Sequence, residues 1–400
     1  MAGTVIPMDK RLAMIAAGEL AAVCVSDLCA ELGISRQSYY RLRARWRKDG
    51  AAGLEPYSKR PAHSPNQIPV ELEDQIVRLR QDLPLDNGAQ SIAYALARAG
   101  QRVPALSTIH RALVRHGLVV PAPHKRPRQH YRSFEAAAPN ERWQLDGTGW
   151  RLAGGQSACI MDVLDDHSRL AVDGRVGGTE TGALAWEAFS CGAAQFGLPA
   201  GTLSDNGSAF TGRVHGGVAD FERDLAALGV ATCFSSPGHP RTCGKVERYH
   251  RTKKAWLRTQ PLACTYSQLQ RQDDTFRAYY NEDRPHRALR GATPAERWAA
   301  SPRAVPAVVP LPLDGFASLE IAPALVSSTG VIAAGRVTVH LGTQWAGAAL
   351  TVVRYTNRVL VLHGAQLVRG VLLDDDPNHR YYGSGTSSGG PRRERLVLRS

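Results

Sequence analysis

The stretch RWQLDGTGWRLAGGQSACIMDVLDDHSRLAVDGRV, Arg142–Val176, decides the fold. Its apolar residues fall in three short runs divided by turn-forming residues. Arg142–Gly147 reads as one strand, Ala158–Leu164 as a second and Leu170–Val176 as a third, with Asp165-Asp166-His167-Ser168-Arg169 as the turn between the last two. Runs this short, bounded by Gly, Ser and Asp, predict an antiparallel meander. One carboxylate breaks the first strand: Asp146, in Trp143-Gln144-Leu145-Asp146-Gly147-Thr148.

Toward the C-terminus the pattern changes period. Thr179–Phe196 places Leu184, Trp186, Phe189 and Ala193 on a helical stripe. Gly201-Thr202-Leu203-Ser204-Asp205 reads as a buried strand ending at a Gly turn, Val218–Leu228 as a helix, Val230–Ser235 as a strand and Lys245–Thr259 as a long helix. Three strands, helix, strand, helix, strand, helix is the order of a ribonuclease-H-like α/β fold, here over 140–300. Beyond Pro302, short strands at Arg336–Leu341, Ala349–Tyr355, Val359–His363 and Ala365–Arg369 predict a small SH3-like β-barrel over 310–372. The Gly/Ser-rich and then basic tail, 373–400, is expected to be disordered.

Toward the N-terminus the chain is helical. Leu12–Ala22 is apolar and Ala-rich, and Ser26 is placed to cap a short amphipathic helix that Gly33 ends. The next helix, Arg36–Lys48, is rich in Arg and Tyr, giving a helix-turn-helix DNA-binding domain over 1–60. Ser35, Arg36, Gln37 and Tyr39 are expected to reach base edges, with Arg43 further along the same helix. A Pro/Gly linker follows, then helices at Val70–Gln81, Ser91–Ala99 and Ser107–His116, the last capped by Ser107. They predict a second, winged-helix-like helix-turn-helix over 65–120. A basic Pro-rich tether, 121–139, offers Lys125, Arg126 and Arg128 to phosphates.

Charge follows this division. Residues 1–140 carry 20 Lys/Arg against 12 Asp/Glu, and residues 141–300 carry 19 against 18, within a net charge of +13. A basic front end on a nearly neutral middle suits a polyanionic partner. No apolar run reaches the roughly 18 residues of a membrane helix, and nothing near Met1 resembles a cleaved leader, so a cytoplasmic, nucleoid-associated protein without membrane contact is expected. Seven scattered cysteines with no C-x-x-C pair do not form a disulfide framework.

Three carboxylates stand out: Asp146, Asp205 in Leu203-Ser204-Asp205-Asn206-Gly207, and Glu247 in Gly244-Lys245-Val246-Glu247-Arg248. Taken singly, each has a plain reading as a turn or helix-terminus residue. Together, two from strands of one sheet and one from a helix over it can converge on one point. Clustered carboxylates are costly without cations, and two divalent ions, Mg²⁺ with Mn²⁺ as substitute, would relieve the cost.

The contexts of these residues carry a resemblance. Trp143-x-x-Asp146, Ser204-Asp205-Asn206-Gly207-x-x-Phe210 and Pro237-x-His239-Pro240-x-x-x-Gly244-Lys245-x-Glu247-Arg248 resemble the DDE core of retroviral integrases and bacterial insertion-sequence transposases. Tyr279-x-Asn281-x-x-Arg284-Pro285-His286-x-x-Leu289-x-x-x-Thr293-Pro294-x-Glu296 is similar to the segment trailing that core in the bacterial members. The resemblance implies that Asp146, Asp205 and Glu247 are the catalytic metal ligands. It also implies that Lys254, seven residues after Glu247 and on the same face, contacts the element's end near the scissile phosphate; the plainer reading is an ordinary solvated lysine in a basic helix that also holds Lys245, Arg248, Arg251 and Lys253. Asn206 and His239 are read as supporting or loop-shaping residues without assigned chemistry, and His250, three residues past Glu247, as either a packing or a phosphate contact. Two departures are visible. The 41 residues between Asp205 and Glu247 exceed the usual interval, with the surplus placed in Thr211–Val218, and Arg241-Thr242-Cys243 replaces a more polar tripeptide.

The function implied is that of a transposase, a polynucleotidyl transferase acting on double-stranded DNA. It would bind terminal inverted repeats, cut at 3′ ends and join them to target DNA as at least a dimer. The rival readings are a non-catalytic DNA-binding regulator derived from a transposase and a ribonuclease-H-like nuclease that only hydrolyses.

Overall fold

The computed structural model describes residues 8–19, 24–55, 67–120, 135–212, 216–235, 244–306, 319–376 and 378–383. Its contacts divide the chain into two units, 1–69 and 70–400. Lys125, Arg126 and Arg128, the loop 236–243 with His239, and the tail from 384 lie outside the described residues.

In the first unit, α1 (Met8–Glu19), α2 (Val25–Glu31) and α3 (Arg36–Asp49) enclose a core of Met14, Ile15, Cys29, Tyr39 and Leu54. Arg11 ties α1 to the turn after α3 by donating to the Leu54 carbonyl at 2.6 Å. The cap of α2 falls at Cys24 rather than Ser26, whose hydroxyl lies 2.9 Å from the Cys24 sulfur. Ser35 caps α3, accepting the Ser38 N–H at 3.1 Å. Its hydroxyl is therefore engaged with the helix end. Tyr39 is a correction to the sequence reading: it is fully buried, because its position on α3 faces α1 and α2, so from there it reaches no base edge. Its neighbours Arg36, Gln37, Tyr40 and Arg41 are exposed.

The second unit opens with α4 (Val70–Asp82), α5 (Ala89–Arg98) and α6 (Leu106–Arg115), packed through Ile76, Ile92, Leu96, Ile109 and Leu113. Ser107 does not cap α6; that place belongs to Ala105. Among the described residues 67–120 no strand accompanies these helices. They sit against the end of the α/β region: Arg98 pairs with Glu296 at 2.6 Å, and Asp86 pairs with Arg284.

The meander is present. β1 (Trp143–Arg151), β2 (Ser157–Asp165) and β3 (Ala171–Gly177) are antiparallel neighbours, and β4 (Gly201–Ser204) and β5 (Ala231–Phe234) add in parallel, in the order β3-β2-β1-β4-β5. Strand alternation sends Trp143, Leu145, Met161, Val163 and Val172 to one face, where α7 (Gly182–Phe196) and α8 (Asp220–Ala227) pack. The other face carries Ala158, Ile160 and Leu164 beneath α9 (Gly244–Leu257) and α10 (Tyr266–Ala278). A π-helical turn, Tyr279–Asp283, and α11 (Pro294–Ala299) complete the region. Thr293 and Glu296 cap α11 reciprocally.

At the C-terminal end the expected strands exist but lie in two sheets. β6 (Leu319–Leu325), β9 (Ala349–Tyr355), β10 (Arg358–His363) and β11 (Gln366–Leu372) form one, in the order β11-β10-β9-β6. β7 (Val331–Ala334), β8 (Val337–His340) and β12 (Tyr381–Tyr382) form the other, in the order β12-β8-β7. They share a core of Ile332, Val337, Val339, Leu350, Val359 and Val361. The four-stranded sheet also packs on the α7 side of the central sheet, through Val353, Tyr355, Leu360 and Leu367.

That joint holds a buried carboxyl, Asp224 of α8, which accepts from the Tyr355 hydroxyl and pairs with Arg358 at 3.3 Å. Burial pushes it up to about 6 despite Arg358 and Tyr355. Because this folded value lies above the unfolded one, the contribution is present below about pH 4 and is lost as pH rises through about 6. The joint is therefore expected to be more stable at pH 5 than at pH 7.5, by on the order of 2 kcal/mol. Urea unfolding of the wild type and Asp224→Asn at the two pH values checks this: the difference should shrink in the variant, and an unchanged difference would place its origin elsewhere.

Candidate active site

Register brings the first acidic residue of the sequence pattern face to face with one the pattern did not single out. Asp146 of β1 pairs with Asp162 of β2, and Asp162 pairs with Gly174 of β3. Directly opposed residues share a face, and two like charges so placed repel. The helix above supplies the compensation. α9 buries Val246, Tyr249, His250, Lys253, Trp256 and Leu257, a stripe at helical spacing. Within it, His250 lies with Nδ1 3.5 Å from Asp146 and Nε2 3.1 Å from Asp162. One turn on, Lys253 reaches Asp162 at 2.6 Å and also pairs with Asp273 of α10. Lys253, which the sequence reading did not single out, has no exposure at all.

Asp146 is half-buried, and burial raises its carboxyl to about 6; His250 opposes that rise, while Asp205, Asp162 and Glu247 add to it. Asp205 and Glu247 thus both lie near enough to Asp146 to act on its carboxyl. Asp205, at the end of β4, is exposed and accepts the Gly207 N–H at 2.8 Å. Asn206 bridges to the Ser235 carbonyl at 2.8 Å, joining the ends of β4 and β5. Glu247 is exposed on α9.

A fourth carboxylate belongs here. Glu180, just before α7, lies where a Cβ on Gly147 would be 2.7 Å from its carboxyl. Its pKa is raised by burial and then by Asp205 and Asp146. Only the absence of a side chain at Gly147 admits it, and the sequence reading did not single out Glu180.

The oxygen-donor set fits hard divalent ions, which would relieve the repulsion that raises Asp146. Among the described residues no three His, Cys, Asp or Glu side chains are gathered tightly enough to hold an ion as they stand. Ion binding would have to draw the exposed Asp205 and Glu247 inward.

Glu247, His250, Arg251, Lys254 and Arg258 line a cleft of about 330 Å³ along α9. Lys254 and Arg251 are therefore placed beside the carboxylates, joined by Arg258 one turn further on. Arg248 is exposed, while Lys245 turns inward onto buried Asp166 at 2.5 Å. Asp166 also accepts from Gln144 at 2.6 Å, and Gln144 in turn accepts the Val246 N–H at 3.2 Å. A phosphate contact by Lys245 would have to break this pairing. Arg43 on α3 is half-buried.

Residues 136–240 match the integrase core domain, and residues 228–294 match a second integrase core domain. Together the two matches cover residues 136–294, less than half of the chain. Ahead of that core, residues 8–55 and 38–113 each match a homeodomain-like domain. The chain is 28% identical over 167 residues to the 31.7 kDa protein of insertion element IS407 of Burkholderia multivorans, covering 42% of this chain and 58% of that protein. It is 25% identical over 168 residues to the 39.2 kDa protein of insertion element IS476 of Xanthomonas euvesicatoria, covering 42% and 46%. The chain spans about half the length of the curated relatives it matches. The HTLV-2 integrase catalytic core domain, solved in complex with magnesium, is 18% identical with a TM-score of 0.33 over 40% of this chain and 98% of that one. A likeness that loose carries no argument about chemistry. No helix among the described residues is long and apolar enough to cross a membrane.

Proposed function

We propose that this protein is a transposase whose integrase core cuts the 3′ ends of a DNA element and joins them to target DNA. The observation that carries the reading is the cleft along α9, in which Glu247 stands among His250, Arg251, Lys254 and Arg258, with His250 3.5 Å from Asp146. Asp146, Asp205 and Glu247 would hold two divalent ions, Mg²⁺ or Mn²⁺, with Glu180 at the edge of the group. When bound, such a pair supplies activation of the attacking oxygen and stabilisation of the leaving one.

The residues of the chain do the rest. Lys254, Arg251 and Arg258 hold the phosphates beside the carboxylates, and buried His250 limits how far Asp146 can turn. In the first step a water oxygen bonds to phosphorus at the element's end, the bond to the 3′ oxygen breaks, and a free 3′-OH remains. In the second that 3′ oxygen bonds to a target phosphorus and displaces the target's own 3′ oxygen, which takes up a proton. One phosphodiester forms as one breaks, so no nucleotide cofactor is needed. The two homeodomain-like regions would recognise the terminal inverted repeats of double-stranded DNA, with at least two copies of the chain bringing two ends together. The two C-terminal sheets are read as one small SH3-like barrel. Domain limits are proposed at 1–60, 65–120, 140–300 and 310–372.

The test is a strand-transfer assay on the element's own flanking ends. Joined products are expected with Mg²⁺ or Mn²⁺ and none after chelation. Ends that are bound, yet never cut or joined with either ion, would replace this reading with that of a non-catalytic DNA-binding regulator.

A further inference from the structure

The ionisable groups under α9 form a continuous chain, carboxylates separated by nitrogen-bearing side chains, that starts at Asp146 and runs away from it. His250 lies between Asp146 and Asp162, Lys253 between Asp162 and Asp273, and Arg277 between Asp273 at 3.6 Å and Asp173 at 2.9 Å. Arg175 closes it on Asp173 at 2.7 Å. Asp162, Lys253 and Asp273 have no solvent exposure. Gly174 is required by this arrangement, since a Cβ there would come within 2.8 Å of Asp162 and closer still to Asp273. Apolar side chains of the same volume would hold α9 on the sheet at least as well as buried ions, so stability alone does not explain the chain. Its geometry supplies a different reason: every link fixes the next, and the last fixes the ring that faces Asp146.

We propose that His250 is a positioning residue for Asp146, held in place by the buried Asp162–Lys253–Asp273 ion chain. The inference rests on the reading of Asp146 as an ion ligand. The buried imidazole sits between the two carboxylates, Nε2 3.1 Å from Asp162 and Nδ1 3.5 Å from Oδ2 of Asp146, with no hydrogen bond formed at Nε2, so its proximity rather than a bond restrains Asp146. The same α9 carries Glu247 three residues before His250, so locking Lys253 between a carboxylate of β2 and one of α10 also fixes the rotation of the helix that bears it. A partner that orients a ligating group characteristically alters ion affinity when removed, even though it touches no ion.

The experiment is calorimetric titration of the full chain with Mn²⁺ alone, in parallel with thermal melting. His250→Gln leaves the pairs of Lys253 intact and is expected to weaken Mn²⁺ binding about tenfold while the melting temperature stays within a few degrees. Asp162→Asn is expected to produce a loss of the same size, and the double variant no more than either single one, because the two act as a unit. Asp146→Asn should abolish binding. Should Asp162→Asn fail to fold, His250→Gln decides alone. Wild-type Mn²⁺ affinity in His250→Gln, with binding abolished in Asp146→Asn, overturns the inference and leaves the ion site standing. Wild-type affinity in Asp146→Asn overturns both.

Discussion

Asp205→Asn and Glu247→Gln are each expected to reduce DNA joining by at least about 10³-fold, while binding of the element's ends stays within twofold of wild type. The separation follows from where the residues sit. Asp205 ends β4 and Glu247 opens α9, both exposed at the edge of the integrase core, whereas the homeodomain-like matches lie at 8–55 and 38–113. Neither side chain is part of a packed core, so the fold should survive both changes, and circular dichroism checks that. Each substitution keeps shape and removes charge. If the site works by gathering ions, charge is what matters, and the loss should appear in the joining rate rather than in end binding. Glu180→Gln, at the margin of the same group, is expected to cost only about tenfold. Joining within tenfold of wild type in Asp205→Asn or Glu247→Gln would remove that residue from the site. End binding that falls in step with joining would relocate its role to DNA recognition.

Much of this site was legible because carboxylates in apolar strands are conspicuous. Asp146 interrupts a strand whose neighbours are buried, and Asp205 ends one, so pattern and resemblance agreed on them. Asp162 interrupts an even more apolar strand, yet only the register that sets it against Asp146 gives it meaning. Lys253 and Lys254 are adjacent in sequence and about 100° apart around a helix. Composition cannot say which one is buried, and the choice falls to the partner surface: Asp162 and Asp273 await one of them, the cleft the other. The helix that supplies Asp273 escaped notice because Tyr266–Ala278 is mostly polar and its buried positions are Leu269, Asp273 and Phe276. A stripe with a carboxylate in its middle does not register as hydrophobic periodicity. The C-terminal strands β8 to β11 were visible, but β12 falls in the tail expected to be disordered, where it pairs with β8, and Leu319–Leu325 is largely exposed and contains Pro323, so nothing in its pattern announces an edge strand.

Lys253→Met is expected to destabilise the α/β region by about 3 kcal/mol or more, measured by urea unfolding followed through tryptophan fluorescence. The methionine fills nearly the same space, so little of the loss would be packing. What changes is the charge balance: Asp162 and Asp273 remain without exposure, and the ammonium that faced both is gone. Burial opposes the ionised form of Asp162, but Lys253 and His250 outweigh it and hold that carboxyl below its ordinary range; Asp273 is raised by burial despite Lys253. Without Lys253, the cationic or imidazole partners left among the described residues are His250 for Asp162 and Arg277, at 3.6 Å, for Asp273. One or both carboxyls must then take up a proton at neutral pH or draw water into the sheet, and either route costs stability. Combining Lys253→Met with Asp162→Asn and Asp273→Asn removes the unpaired charges and should restore most of the loss. That triple variant separates two roles of the chain. Stability should return, because neutral groups can fill the same volume. Mn²⁺ affinity should not, because His250 has lost the carboxylate that aims it at Asp146. A triple variant that recovered both would reduce the buried ions to packing material; a Lys253→Met chain destabilised by less than about 1 kcal/mol would mean that water already reaches them.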